Sequence, residues 1–173
     1  MYRVRKSVDI SFAHHVRAHG GACINIHGHT WKFEVELAAE TLDATGFVVD
    51  FAVLRERVLN PCHLLLDHSL AVGADTFEEI EAGLGTVGTA LLASRTAPAP
   101  TTAGIVTGLA GAANHYPGGM KVAVFPFAPT SERLARWLYD VASQAVADDR
   151  VRVHLARVYE TLHPVHSVAE YQP

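Results

Sequence analysis

The chain has 173 residues, 49% of them hydrophobic and 18% charged, a balance that supports one domain with a sizeable core and argues against disorder. A formal net charge of -4 leaves no basic footprint for nucleic acid or an anionic membrane, and no apolar run reaches membrane-span length. The expected partners are therefore small molecules and sister subunits. The opening Met1-Tyr2-Arg3-Val4-Arg5-Lys6 lacks the apolar core of a secretory leader, which predicts a cytoplasmic location with Cys23 and Cys62 as free thiols.

Residues 2–14 alternate as a strand does, and Thr30 to Ala39 alternates better, with Trp31, Phe33, Val35 and Leu37 on one face and Lys32, Glu34 and Glu36 on the other. These two strands are expected to pair. After Gly46-Phe47-Val48-Val49, Asp50 is placed to cap a helix through Phe51, Leu54, Val58 and Leu59 that stops at Pro61. The apolar run Leu64-Leu65-Leu66 then leads into Asp67-His68. Thr76 to Ser94 reads as a helix weakened by Gly83, Gly85 and Gly88, Thr96 to Thr102 as a linker, and Gly104 to Gly119 has no firm period.

Lys121 to Phe127 restores a strand pattern, confined to a sheet edge by Pro126. Thr130 is placed to cap a long amphipathic helix through Leu134, Trp137, Leu138, Val141 and Val146, ending near Asp148-Asp149. Val151 to Glu160 alternates strictly, and Ser167 to Tyr171 follows, so two strands close the chain. This pattern predicts one α+β domain over residues 1–173, with an insertion at about 71–120.

The densest chemistry lies in Cys23-Ile24-Asn25-Ile26-His27-Gly28-His29. On a strand, His27 and His29 point to the same side, with Gly28 leaving room between them, which makes a metal-ligand pair suited to Zn(II) or another first-row metal. A third ligand is needed, and His14 at the end of the first strand is the best placed, with His15 as the alternative. Three protein ligands with an open position define a catalytic site rather than a structural one.

Taken together, several motifs in fixed order resemble the 6-pyruvoyltetrahydropterin synthase and 6-carboxytetrahydropterin synthase family. They are Ala13-His14 with Val16, the run from Cys23 to Trp31, Gly46 to Phe51, Leu66-Asp67-His68, Pro129 to Ala135, Val158 to Thr161, and Ala169-Glu170-Tyr171. The resemblance implies a tunnelling (T-) fold, in which a four-stranded antiparallel sheet and two main helices per subunit assemble into a trimeric β-barrel. Two such trimers usually stack as a homohexamer.

The resemblance also implies that His14, His27 and His29 bind zinc, that Cys23 with Asp67 and His68 forms the catalytic set, and that Glu160 anchors a pterin. The spacing Cys-x-x-x-His-Gly-His looks like the carboxy branch, of the 7-deazaguanine and queuosine pathway, which implies 7,8-dihydroneopterin triphosphate as substrate. Triphosphate elimination and side-chain cleavage would follow. Zinc as a Lewis acid lowers the cost of removing protons from the substrate's side-chain carbons. A thiolate at Cys23 suits a base, and the Asp67 carboxylate suits an orienting group for His68.

Glu160 shares a strand face with Val158, an odd place for a carboxylate without a ligand, and its two oxygens match the paired donors of an amino-pyrimidine edge. Thr161, Thr130 and Ser131 supply hydroxyls for the rest of the ring, while Glu132 is either a second pterin contact or a first-turn glutamate favoured by the helix dipole. Cations for the triphosphate could come from Lys6, Arg17 or His19. Two features depart from the family: Ala71 follows Leu70 where an asparagine is common, and the insertion is long. The alternatives are a 6-pyruvoyltetrahydropterin synthase and a non-catalytic pterin- or zinc-binding homologue.

Overall fold

The computed structural model describes residues 1–97, 106–107 (backbone only), 109–163 and 166–173. Part of the expected linker at Thr96 to Thr102, and of the stretch from Gly104 to Gly119, therefore lies outside the described residues. The strands are β1 (Tyr2–His14), β2 (His27–Ala39), β3 (Leu70–Gly73), β4 (Val106–Thr107), β5 (Ala113–His115), β6 (Val122–Phe125), β7 (Val151–Thr161) and β8 (Ser167–Tyr171). The helices are α1 (Phe51–Leu54), α2 (Asn60–Leu66), α3 (Ala74–Leu91) and α4 (Ser131–Val146).

The expectation of four antiparallel strands is corrected. Among the described residues, one sheet of eight strands runs β4-β5-β6-β3-β1-β2-β7-β8, and β3 pairs in parallel with both β1 and β6. Among the extra strands, β3, β4 and β5 fall almost wholly in the stretch that had shown little or no period, while β6 is the strand expected at Lys121 to Phe127. All four residues of β3 and all four of β6 are buried, so neither strand alternates, and short fully buried strands carry no period of two. Pro126 does not confine β6 to an edge. β6 is paired on both sides, and Pro126 follows its last residue, where no ladder hydrogen bond is lost.

The chain forms two compact units, of which one comprises Met1–Ile10, His29–Leu64 and Thr130–Pro173. There β2 and β7 pair antiparallel from Lys32↔Tyr159 to Ala39↔Val151, and β8 adds to β7 with Ala156↔Tyr171 and Val158↔Ala169. Trp31, Phe33, Val35 and Leu37 are fully buried, as are Leu134 and Leu138 of α4, which packs on β7 and β8. Each such side chain contributes roughly 1.5–3 kcal/mol by leaving water. Thr130 caps α4 through its hydroxyl, which accepts the Arg133 N–H, and Asp50 caps α1 by accepting the Ala52 N–H at 2.7 Å.

The helix expected to stop at Pro61 does not. A π-helical turn, Arg55–Leu59, follows α1, and α2 continues through Pro61 to Leu66. A proline within a helix meets the carbonyl four residues back, and the wider π turn just ahead of Pro61 makes room for the ring.

The second unit comprises Ser11–Gly28 and Leu65–Pro129. Here the end of β1 pairs with β3 (His14↔Ala71), and β3 pairs with β6 (Leu70↔Val122 to Gly73↔Phe125). Leu70, Val72, Phe77, Leu84, Val122 and Val124 form a separate core between this ladder and α3. The glycines of α3 have a packing role. A Cβ at Gly88 would lie 2.6 Å from Pro117 O, so glycine is what lets the 3-10 turn Pro117–Gly119 lie directly on the helix. Gly118 in that turn has a φ of +58° and abuts Gly85 and Thr89 in the same way. Gly83, by contrast, has open space around it. Among the described residues, no helix is long and apolar enough to cross a membrane.

These glycines separate in a stability test. Gly88→Ala should destabilise the protein by about 1–3 kcal/mol through overpacking against the Pro117 carbonyl, whereas Gly83→Ala should stabilise it by roughly 0.5–1 kcal/mol through helix propensity. Urea unfolding monitored by circular dichroism reads both; equal effects of one sign would refute the packing role.

Candidate functional site

In the second unit, the last residue of β1 meets the first residue of β2. His14 Nε2 and His27 Nε2 lie 3.1 Å apart, with ring centroids at 4.5 Å. The outer nitrogen of each ring faces a backbone carbonyl: His14 Nδ1 lies 2.9 Å from Pro129 O, and His27 Nδ1 lies 2.9 Å from Asn25 O. A carbonyl only accepts, so each Nδ1 is placed to donate, and the two rings then turn their Nε2 atoms toward each other. Two lone pairs at this distance repel unless a cation or a proton lies between them.

The donor set fits a metal. Two imidazole ligands at a zinc–nitrogen distance of about 2.0–2.1 Å in tetrahedral geometry stand about 3.4 Å apart, and backbone carbonyls on the second nitrogens are the usual way such ligands are oriented. His14 is almost fully buried, so its orientation is set by packing as well. Gly28 serves the same approach, because a Cβ there would lie 3.3 Å from Phe12 O and 3.5 Å from Ala13 Cα. Ala71 sits opposite His14 on β3, fully buried, and its carbonyl takes the His15 N–H at 3.3 Å. His15 Nδ1 is itself buried without a hydrogen-bond partner.

The same unit holds the other expected catalytic residues. Cys23 is half-buried in the 3-10 turn Ala22–Ile24, and its carbonyl accepts the Val16 N–H at 3.1 Å. Asp67 Oδ2 accepts from His68 Nδ1 at 2.8 Å, and the His68 side chain is 84% exposed. Lys121 Nζ donates to Asp67 O at 2.8 Å; burial pulls this ammonium below its usual range, opposed by the Asp67 carboxylate.

In the first unit, β2 presents His29 on the same strand face as Trp31, and the two rings meet edge to face at 5.3 Å. His29 Nε2 lies 3.6 Å from Glu160 Oε1, while Ser131 Oγ donates to Glu160 Oε2 at 3.0 Å. The β2–β7 register explains the first contact: continued one step past Lys32↔Tyr159, it sets Glu160 opposite Trp31, one diagonal from His29. Asp9, His29, Thr30, Glu160, Thr161, Leu162 and His163 line an open cleft of about 470 Å³. His14 and His27 in one unit, and His29 and Glu160 in the other, are side chains able to hold a metal ion.

Of the expected binding residues, Thr161 lines the cleft and Ser131 fixes Glu160. The Thr130 hydroxyl is engaged as the helix cap, and Glu132 is exposed in the first turn of α4. Asp9, Thr30 and His163 escaped sequence reasoning. Asp9 reads as an ordinary outward acid on β1, and His163 has no metal spacing. The carbonyls of Asn25 and Pro129 carry no side-chain signal at all.

An α+β sheet that brings imidazoles able to hold a metal ion together places the chain among small metal-competent α+β proteins, and solved structures share the fold. A protein of Wolinella succinogenes superposes with a TM-score of 0.70 at 23% identity, covering 99% of this chain and 97% of that one. The 6-pyruvoyl tetrahydropterin synthase of Caenorhabditis elegans does so with a TM-score of 0.56 at 14% identity, covering 99% and 95%. At these identities the likeness concerns the fold.

The chain belongs to the 6-pyruvoyl tetrahydropterin synthase family, whose model matches residues 3–172. Among curated relatives, the 6-carboxy-5,6,7,8-tetrahydropterin synthase of Bacillus subtilis is 35% identical over 45% of this chain and 51% of its own length. The protein of the same name from Haemophilus influenzae is 25% identical over 99% of both chains.

The two thiols differ in a way that can be measured. Burial pushes the Cys62 thiol up to about 12, whereas Cys23 is only half-buried. An aromatic disulfide reagent at pH 8 should titrate one thiol in the native protein and two in denaturant, and Cys23→Ser should remove the native reaction.

Proposed function

We propose that this chain is a zinc-dependent 6-carboxy-5,6,7,8-tetrahydropterin synthase acting on 7,8-dihydroneopterin triphosphate, in the pathway to 7-deazaguanines. The observation that supports the metal is the approach of His14 Nε2 and His27 Nε2 to 3.1 Å while each Nδ1 faces a backbone carbonyl. His29 follows His27 by two residues on the same strand and is the third ligand. When bound, zinc supplies Lewis-acid polarisation of the substrate's side-chain oxygens.

The branch is supported by the Cys23-to-His27 spacing and by the curated relatives, one of which aligns over the whole chain. Glu160 accepts the paired donors of the pterin edge, with Ser131 holding one carboxylate oxygen in place and Thr161 beside it in the cleft. Thr130 and Glu132 lie at the adjoining start of α4 and complete the ring contacts. Cys23 takes a proton from the side-chain carbon, and His68, oriented by Asp67, serves as the second acid or base. Subunits close their sheets into a barrel and stack as a homohexamer; β8, an edge strand with Val168 exposed, is a surface such closure would cover.

Incubation of the purified protein with zinc and 7,8-dihydroneopterin triphosphate should give 6-carboxytetrahydropterin by mass spectrometry; a pyruvoyl product would move the chain to the other branch, and no product would refute the activity. His27→Ala should remove stoichiometric metal. Cys23→Ala should lower kcat by about 10²-fold or more with pterin affinity retained, while Glu160→Gln should weaken pterin binding by roughly 1–3 kcal/mol. Light scattering reads the assembly, and a monomer at micromolar concentration contradicts it.

A further inference from the structure

The peptide that joins Asp67 to His68 is held at both of its polar atoms. Its carbonyl oxygen accepts from Lys121 Nζ at 2.8 Å, and its N–H, that of His68, donates to Ser11 O at 2.8 Å. The hold matters because His68 has a φ of +56°, in the left-handed region. For a non-glycine residue that conformation is strained and persists where the surroundings over-determine it. With its side chain 84% exposed, His68 is not aimed by packing. Its direction comes from the backbone and from the bond to Asp67 Oδ2.

Ser11 acts through its carbonyl, so Lys121 is the side chain of this clamp. We infer that Lys121 is a positioning residue, whose ammonium holds the Asp67–His68 peptide in the conformation that keeps Asp67 behind the His68 ring and turns the free ring nitrogen outward. Lys121 is itself fixed, because its carbonyl accepts the Leu70 N–H at 3.1 Å and its neighbour Val122 pairs with Leu70 in the β3–β6 ladder. Partial burial and the nearby Asp67 carboxylate make the hydrogen bond charge-assisted in a partly desolvated site, where it is stronger than at an open surface. A lysine immediately beyond the stretch that departs most from the family pattern thus serves the proton-transfer pair. The inference rests on reading Asp67 and His68 as that pair.

The test compares Lys121→Met with Lys121→Arg in the full-length protein. Lys121→Met should lower kcat about tenfold with KM for the pterin changed by less than about twofold, and Lys121→Arg should restore most of it. Without substrate, amide exchange followed by NMR should show the His68 N–H exchanging at least about tenfold faster in Lys121→Met, while the Val72 N–H in β3 keeps its protection. Should Lys121→Met fail to fold, Lys121→Gln takes its place in the same comparison. Unchanged protection at His68 overturns the clamp, as does a kcat loss that Arg leaves unrepaired. If the parent protein does not turn over the pterin, the proposed function fails, and exchange at His68 still decides the clamp.

Discussion

Two imidazole nitrogens held 3.1 Å apart, His14 Nε2 and His27 Nε2, are the constraint on which the rest of this structure turns. The other nitrogen of each ring faces a backbone carbonyl, and that contact turns Nε2 of one ring toward Nε2 of the other. Keeping such a pair together requires rigid supports. β1 and β2 approach closely enough because residue 28 has no side chain to strike the Phe12 carbonyl. His14 is packed against a buried alanine on β3 and tied to Pro129, 115 residues away in the chain. The residue after Pro129 is the cap of α4, so the turn that starts that helix also sets the tautomer of His14.

The central part of the chain has a different logic. Its helix α3 carries three glycines that cost helix propensity, and Gly88 recovers that cost by letting a 3-10 turn lie on the helix. Behind that contact sits a core of six buried apolar residues, and from its ladder Lys121 reaches the Asp67 carbonyl. Packing in this segment and the conformation of His68 are therefore linked through one strand, β6, whose pairing on both sides leaves it little freedom.

Elements with one wet face were legible in the sequence. β1, β2, β7 and β8 alternate, α4 has an apolar stripe and a threonine cap, and each lies close to where its pattern placed it. β3 was hidden because four buried residues in a row have no period, β6 was legible as a strand but misplaced at an edge because Pro126 lies just past its end, and α2 was missed because a proline ordinarily ends a helix unless the turn before it widens. The parallel pairing of β3, and with it the eight-stranded sheet, follows from those hidden strands.

By itself the sequence determined the chemistry available: which imidazoles share a strand face, where a thiol precedes them, and that a carboxylate sits where an apolar residue belongs. Those are consequences of covalent spacing, since alternation along a strand is fixed within a few residues. Tertiary structure alone decided that His14 rather than His15 faces His27, that the Pro129 and Asn25 carbonyls hold the outer nitrogens of the two rings, and that Ser131 steadies Glu160. It also put Asp9 and His163 at the same cleft as Glu160. Apart from the local Asn25–His27 contact, these contacts join residues 13 to 115 positions apart, and only the register of paired strands and the packing of helices upon them bring those residues within a hydrogen bond's reach.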